Sequence, residues 1–315
     1  MPRSRPTATA DARWTISANV LGLCWGAWTE LGVSAWGRSH EGWAIDPEPL
    51  IVFTAHLGDR EPRLRDEATD WCIRNWRLIS RVRLRNLVRR ESAEHQARWG
   101  SFAATVNAHA GVDWPGAGTA REAYRVTGRS TLRPLTEPSM ALLRLRSIFG
   151  LGTRAEVLRY LLFHARSTWV TAQPLADATN YGKRNVAEAA DALVQAGVLR
   201  LRAEANRNTF ALAEPEKLAA FVGAPPTCAP EWAPLLMVLG TVLHLAERSA
   251  ALSAEVEAVE TRGALRQIEA LLDALGITPP PEVRGAVFVR EWNRWAVALT
   301  GSLATGEWPG GPLGR

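Results

Sequence analysis

Residues 169–212 read WVTAQPLADATNYGKRNVAEAADALVQAGVLRLRAEANRNTFAL, and a change of period inside them decides the fold. Thr171 opens a short helix through Leu175 and Ala176 to about Thr179, and Asn180-Tyr181-Gly182 is a tight turn. From Lys183 to Ala196 the apolar residues fall at Val186, Ala189, Ala190, Leu193 and Val194. Steps of three and four place them on one helical face. Gly197 follows, where a left-handed residue ends a helix at least cost. The period then drops to two. Leu199 and Leu201 alternate with Arg200 and Arg202, Glu204 to Asn208 is polar, and Thr209 to Leu212 returns as a second strand, so the pair reads as a hairpin. Upstream, Leu142, Leu143, Leu145 and Ile148 form a short helix closed by Gly150. Thr153 with Glu156 three residues later has the form of a capping box ahead of Val157, Leu158, Leu161 and Leu162.

Helix, helix, turn, helix and hairpin, in that order over residues 140–222, predicts a winged helix-turn-helix inside a mainly α chain. The segment resembles winged helix regulators of the ArsR and MarR kind. Leu175-Ala176, the turn into Tyr181-Gly182-Lys183-Arg184-Asn185, and Leu193-Val194-Gln195-Ala196-Gly197-Val198-Leu199 carry that resemblance. No metal-ligand pair of the ArsR type accompanies them. The resemblance implies sequence-specific binding of double-stranded DNA and transcriptional regulation. A reading helix meets base edges with residues near its N-terminus, where free N–H groups also favour phosphate. Lys183, Arg184 and Asn185 occupy that end, and Glu188 one turn later is suited to accept from cytosine. Thr171 and Gln173 open the preceding helix as backbone contacts. Asn206, Arg207 and Asn208 form the tip of the wing. Tyr181 is a candidate phosphate contact, or packs beneath the turn. The alternative is a scaffold protein whose winged helix docks another protein.

The flanks read as helical. Residues 1–11 are expected as a disordered tail, 12–106 as a helical domain, 107–139 as a linker or irregular arm, 230–300 as a helical region and 301–315 as a flexible tail. Asp46-Pro47 starts a helix that Gly58 closes. Glu61-Pro62 opens another, with Leu64, Ala68, Trp71, Cys72 and Asn75 inward and Arg63, Asp66, Glu67 and Asp70 outward. Between Arg74 and Arg90 stand seven arginines and no acid, either a solvated helical face or a phosphate-contacting surface. Arg121, Arg125, Arg129 and Arg133 follow at four-residue spacing among prolines and glycines, as a basic arm or an extended linker. Asn107 and His109 are a candidate site loop without an identifiable partner. Leu265, Ile268, Leu272 and Leu275 are heptad-like, which makes the C-terminal region the candidate for homodimerisation. The tryptophans at 14, 25, 28, 36 and 43 form either core or a ligand-sensing cluster.

Charge is uneven along the 315 residues: net +4 over 60–118 and again over 140–222, against −2 over 1–59 and −3 over 223–315. A polyanion partner therefore belongs to the middle of the chain. Only Lys183 and Lys217 are lysines among the 37 basic residues, so a lysine at the head of the reading helix stands out. The three cysteines show no CxxC spacing and no disulfide framework, which excludes a paired-cysteine zinc site. There is no HExxH, no Walker lysine and no GxSxG elbow, so neither an enzyme nor a cofactor is expected. Residues 1–11 lack the apolar core of a signal peptide, and the longest apolar run, Leu235 to Leu245, is too short to span a bilayer. A cytoplasmic protein with no membrane partner is the expectation.

Overall fold

In the computed structural model, which describes residues 8–34, 39–58, 60–204 and 207–311, the chain is mainly helical with one small antiparallel sheet. The helices and strands run α1 (Ala8–Leu31), α2 (Pro47–Leu57), α3 (Pro62–Asn75), α4 (Arg81–Val88), α5 (Ala93–Ala110), α6 (Ala141–Phe149), α7 (Thr153–Phe163), β1 (Val170–Thr171), α8 (Ala172–Thr179), α9 (Lys183–Gln195), β2 (Leu199–Glu204), β3 (Arg207–Leu212), α10 (Pro215–Val222), α11 (Trp232–Arg248), α12 (Ala254–Ala274) and α13 (Ala286–Ala304). No described helix is long and apolar enough to cross a membrane. Contacts divide the described residues into two compact units, residues 8–26 with 234–311, and the described residues between 27 and 233.

The larger unit holds the candidate site. Its α2 is buried along all eleven residues, as an apolar helix enclosed by neighbours must be. α3 buries the expected stripe of Leu64, Ala68, Trp71, Cys72 and Asn75, with one correction. Asp70 is 2% exposed and accepts from the backbone N–H groups of Thr127, Gly128 and Ser130. A carboxylate there satisfies three donors of the irregular segment, which is why it lies inside. That segment is fastened down rather than hanging free. Arg121 reaches Asp66 and Thr69, and Arg133 donates to the Thr29 carbonyl at 3.3 Å. Gly32, with φ +111°, lies so close to the Thr131 carbonyl that no Cβ would fit. The Asn107 amide accepts from Trp114 N at 2.8 Å and donates to its carbonyl at 3.2 Å, so it braces the end of α5 instead of forming a site loop.

Residues 141–222 enclose their own apolar cluster around Leu145, Leu158, Leu161, Leu175, Val186, Ala190, Leu193, Leu199 and Phe210. The sheet order is β1-β3-β2, with Leu199 opposite Leu212 and Leu201 opposite Phe210. β1, which the sequence reading folded into the start of a helix, pairs Val170 with Phe210 and Thr171 with Thr209. Gly197 ends the α9 segment at φ +71°, as anticipated. α7 begins at Thr153, but Gly152 is its N-cap and no side chain caps it; Glu156 is turned inward instead.

In the smaller unit, α12 starts behind Ser253, whose hydroxyl accepts from Val256 N, and contacts α13. Ile268, Leu272 and Leu275 of the heptad-like series are buried within the chain itself, so that seam is already occupied. Asn19 of α1 donates to Thr300 of α13 at 3.2 Å. Residues 8–26 thus group with the C-terminal helices, a boundary that differs from the helical domain expected over 12–106, because that pairing spans 281 positions. Residues 8–11 of the expected N-terminal tail are helical, and residues 1–7 lie outside the described residues. At the other end α13 continues to Ala304, and Gly311 N bonds the Gly276 carbonyl at 3.1 Å. The expected tail is therefore folded over most of its length; residues 312–315 lie outside the described residues.

Candidate nucleic-acid interface

α9 exists because its inner stripe of Val186, Ala189, Ala190 and Leu193 is buried while its outer positions are short or polar. Gly182 is its N-cap, extended and without a side-chain acceptor. The first N–H groups of the helix therefore remain free for an external anion. Lys183, Arg184 and Asn185 sit in this first turn, all exposed.

Three stripes run along the outside of α9. Lys183, Ala187 and Asp191, four residues apart, face a groove of about 530 Å³. Thr171, Gln173, Arg207 and Asn208 line its other walls. Five of the expected contact residues meet there, contributed by the start of α8, the start of α9 and the start of β3. The middle stripe is an ion pair, Arg184 Nε to Glu188 Oε1 at 2.8 Å, exposed on both sides. On the far flank, Asn185 and Glu188 border a second hollow of about 410 Å³ with Gly150, Thr153 and Arg154. Gln173 donates to Asp177 at 2.9 Å. Asn206 lies outside the described residues. Lys183 and Arg207 have no ion-pair partner among the described residues, and they line the groove together with the carboxylate of Asp191.

Tyr181 is not part of this surface. It is 8% exposed, and its hydroxyl lies 2.7 Å from Ser80 Oγ. Of the two positions left open from sequence, it takes the one beneath the turn. Its neighbour Asn180 is left-handed at φ 57°, a conformation asparagine tolerates better than most residues. Both its polar ends are held from α4 and the turn that follows it: Asn86 donates to its carbonyl at 2.9 Å and Arg90 to its Oδ1 at 3.0 Å.

Beneath the turn lies a buried ionic network that the sequence reading missed. Arg83, Arg146 and Arg159 meet Asp46, Glu48 and Glu156, every one of them less than a tenth exposed. Arg83 binds Asp46 and Glu48 and donates from Nε to the Thr179 carbonyl at 2.9 Å. Arg146 grips Glu48 through two bonds of 2.7 and 2.8 Å and reaches Glu156 at 2.7 Å. Arg159 adds a bond to Glu156 at 3.2 Å. Three cations balance three anions, the condition under which charges survive burial. Burial works against ionisation of Glu156, yet Arg83, Arg146 and Arg159 more than offset it and hold the carboxyl below its usual range. Glu48 goes the other way: burial outweighs Arg146 and Arg83 and raises it. Two of the charged residues fall among apolar neighbours in sequence, Arg83 beside Leu84 and Leu87, Glu156 between Ala155 and Val157. That placement was the available signal.

Among the described residues one group has metal-ligand spacing: His56, Glu91 and His95, with ligand atoms within 4.8 Å of one another. The two rings stack at 4.1 Å with an interplanar angle of 18°. Their in-plane lone pairs therefore run side by side rather than meeting at a point. Arg60 and Arg98 also both donate to the His56 carbonyl, which sets cations beside the group. It suits a stacked ring pair better than a metal. No protein-family model matches the chain, and no match was found among curated proteins or solved structures.

Proposed function

We propose that residues 140–222 form a winged helix-turn-helix that binds double-stranded DNA sequence-specifically, and that the protein is a transcriptional regulator of the winged helix kind. The observation that carries the reading is the groove in which Thr171, Gln173, Lys183, Arg207 and Asn208 converge. α9 is the reading helix. Its first turn offers Lys183 and Arg184 to guanine edges and Asn185 to adenine, while Arg207 and Asn208 reach the flanking backbone from the hairpin. The Arg184–Glu188 pair is no obstacle, since an exposed pair of this kind contributes little and opens readily. With the α12 seam buried, homodimerisation of the smaller unit would fall to exposed residues such as Val256 and Val259, 45% and 67% exposed.

The test is fluorescence anisotropy on a pool of duplexes titrated with salt, with Lys183→Ala/Arg184→Ala beside the wild type. Tight binding to selected sequences, with loss of selectivity in the variant, supports the reading. Absence of duplex binding at low salt removes it. One observation favours the second reading, protein docking: the exposed charges of α9, Lys183 and Arg184 against Glu188 and Asp191, cancel. A partner bound through that face with little salt dependence would identify docking instead.

A further inference from the structure

α9 begins without means of its own to fix its first turn. Gly182 caps it with no side chain, and Gly182 to Asn185 are all exposed. The first buried residue of the helix is Val186, so Lys183, Arg184 and Asn185 stand ahead of the apolar stripe that anchors it. Their direction depends on the residues that join α8 to α9, Asn180 to Gly182. That turn is held from outside residues 140–222, by residues 80–90. Arg83 donates to the Thr179 carbonyl at 2.9 Å, Asn86 to the Asn180 carbonyl at 2.9 Å and Arg90 to Asn180 Oδ1 at 3.0 Å. The Tyr181 hydroxyl meets Ser80 Oγ at 2.7 Å.

Asn180 is where two of these bonds converge. It is 2% exposed and is the only non-glycine with positive φ among the described residues. Glycine would take that conformation at less cost, but it has no Oδ1 to accept from Arg90. Burial of apolar surface does not require either bond, because α4 packs through Leu84, Leu87 and Val88. We infer that Asn86 and Arg90 are positioning residues for sequence reading. Acting through Asn180, they fix the direction in which Lys183, Arg184 and Asn185 leave the turn, and they contact no DNA themselves. This rests on the DNA-binding reading above and deepens it. Base edges are read by paired hydrogen bonds, which need their donors held to within about 0.5 Å. A phosphate contact tolerates more, since charge attraction falls off slowly with distance and carries no sequence information. A loosened turn therefore costs sequence preference before it costs charge-driven binding.

The test uses the full-length chain. Wild type, Asn86→Ala, Arg90→Ala, Asn180→Gly and Lys183→Ala/Arg184→Ala are titrated with salt on a selected duplex and on a scrambled one. The temperature is one at which melting curves show every variant folded. Asn86→Ala and Asn180→Gly leave the charge unchanged. Asn180→Gly also keeps the left-handed backbone and the carbonyl that Asn86 binds, and removes only the acceptor of Arg90. Each of the three single variants is expected to lose about tenfold in preference for the selected duplex, the worth of one paired base contact. Affinity for the scrambled duplex stays within about twofold, and the slope of log K against log salt within about half a unit. A merely structural role would lower the melting temperature and leave the preference intact. Full preference in Asn86→Ala and Asn180→Gly, beside its loss in Lys183→Ala/Arg184→Ala, overturns the inference and leaves the α9 reading standing. An equal loss on both duplexes does the same. A slope flattened by about 0.9 in Arg90→Ala makes that residue a phosphate contact and overturns the inference for it. A wild type that binds no duplex at low salt, or binds every duplex alike, overturns both readings.

Discussion

Arg83 and Arg85 stand two positions apart on α4, yet Arg83 has none of its surface exposed while Arg85 faces solvent. The same contrast divides the larger unit. Around Arg83, Arg146 and Arg159 every charge has a buried counter-charge, and each arginine also donates to a backbone carbonyl. Around Lys183, Arg184, Arg207, Arg85 and Arg89 the charges are in water, and several have no ion-pair partner among the described residues. The inner set holds α4 against the turn before α9, and the outer set is left free to meet something else. Counting bases along the sequence cannot separate them, although they respond to different perturbations: the inner set to truncation and pH, the outer set to salt.

The largest effect is expected from Arg83→Met. It leaves Asp46 and Glu48 in a buried site without their shared partner, and losing one member of a buried pair costs about 3–5 kcal/mol. Urea unfolding of the variant checks this, and a loss below about 1 kcal/mol would mean that water reaches the network. Next comes pH. Burial holds His56 down at about 4, Glu91 only partly offsets it, and His95, Arg98 and Arg60 push in the same direction as burial. The unfolded chain takes up a proton near pH 6.5 that the folded chain refuses, so stability falls as pH drops from 6.5 towards 4. His56→Gln should remove up to about 3 kcal/mol of that dependence. His164, held at about 3 chiefly by burial, acts in the same window, so some acid sensitivity should remain in the variant. A wild type and variant with parallel pH curves would show that His56 is not the group responsible.

A smaller loss, about 1 kcal/mol, is expected for Tyr181→Phe, which removes only the bond to Ser80; an unchanged melting curve would argue that the turn is held by Asn86 and Arg90 alone. The least is expected on the outside. Arg184→Ala should leave the urea unfolding curve unchanged, since its pair with Glu188 is exposed. A measurable loss would erase the distinction between the two sets.

How far the sequence could be read follows the same division. The inner stripe of α9, the stop at Gly197 and the hairpin alternation are local patterns, set by residues three, four or two positions apart. Asp46 and Glu48 lie 37 and 35 positions from Arg83, and Glu48 lies 98 from Arg146, and no period connects them. Glu156 was legible as a helix-start residue and is instead an ion-pair partner, because a charge beside Ala155 and Val157 fits either role until the facing helices are known. The groove residues were legible in kind, since exposed polar residues on a local frame need no distant partner.

The bonds from α4 to Thr179, Asn180 and Tyr181 bear on how this protein could be taken apart. Residues 140–222 look like a cassette to be cut out and fused elsewhere. A fragment with those bounds would keep Arg146, Glu156 and Arg159 but lose Asp46, Glu48 and Arg83. It would carry bare charges on what had been an interior face, together with an unsupported left-handed asparagine at the foot of α9. Transplanting α9 into another scaffold therefore means moving residues 46–90 with it, as two separate stretches of chain that form one transferable part.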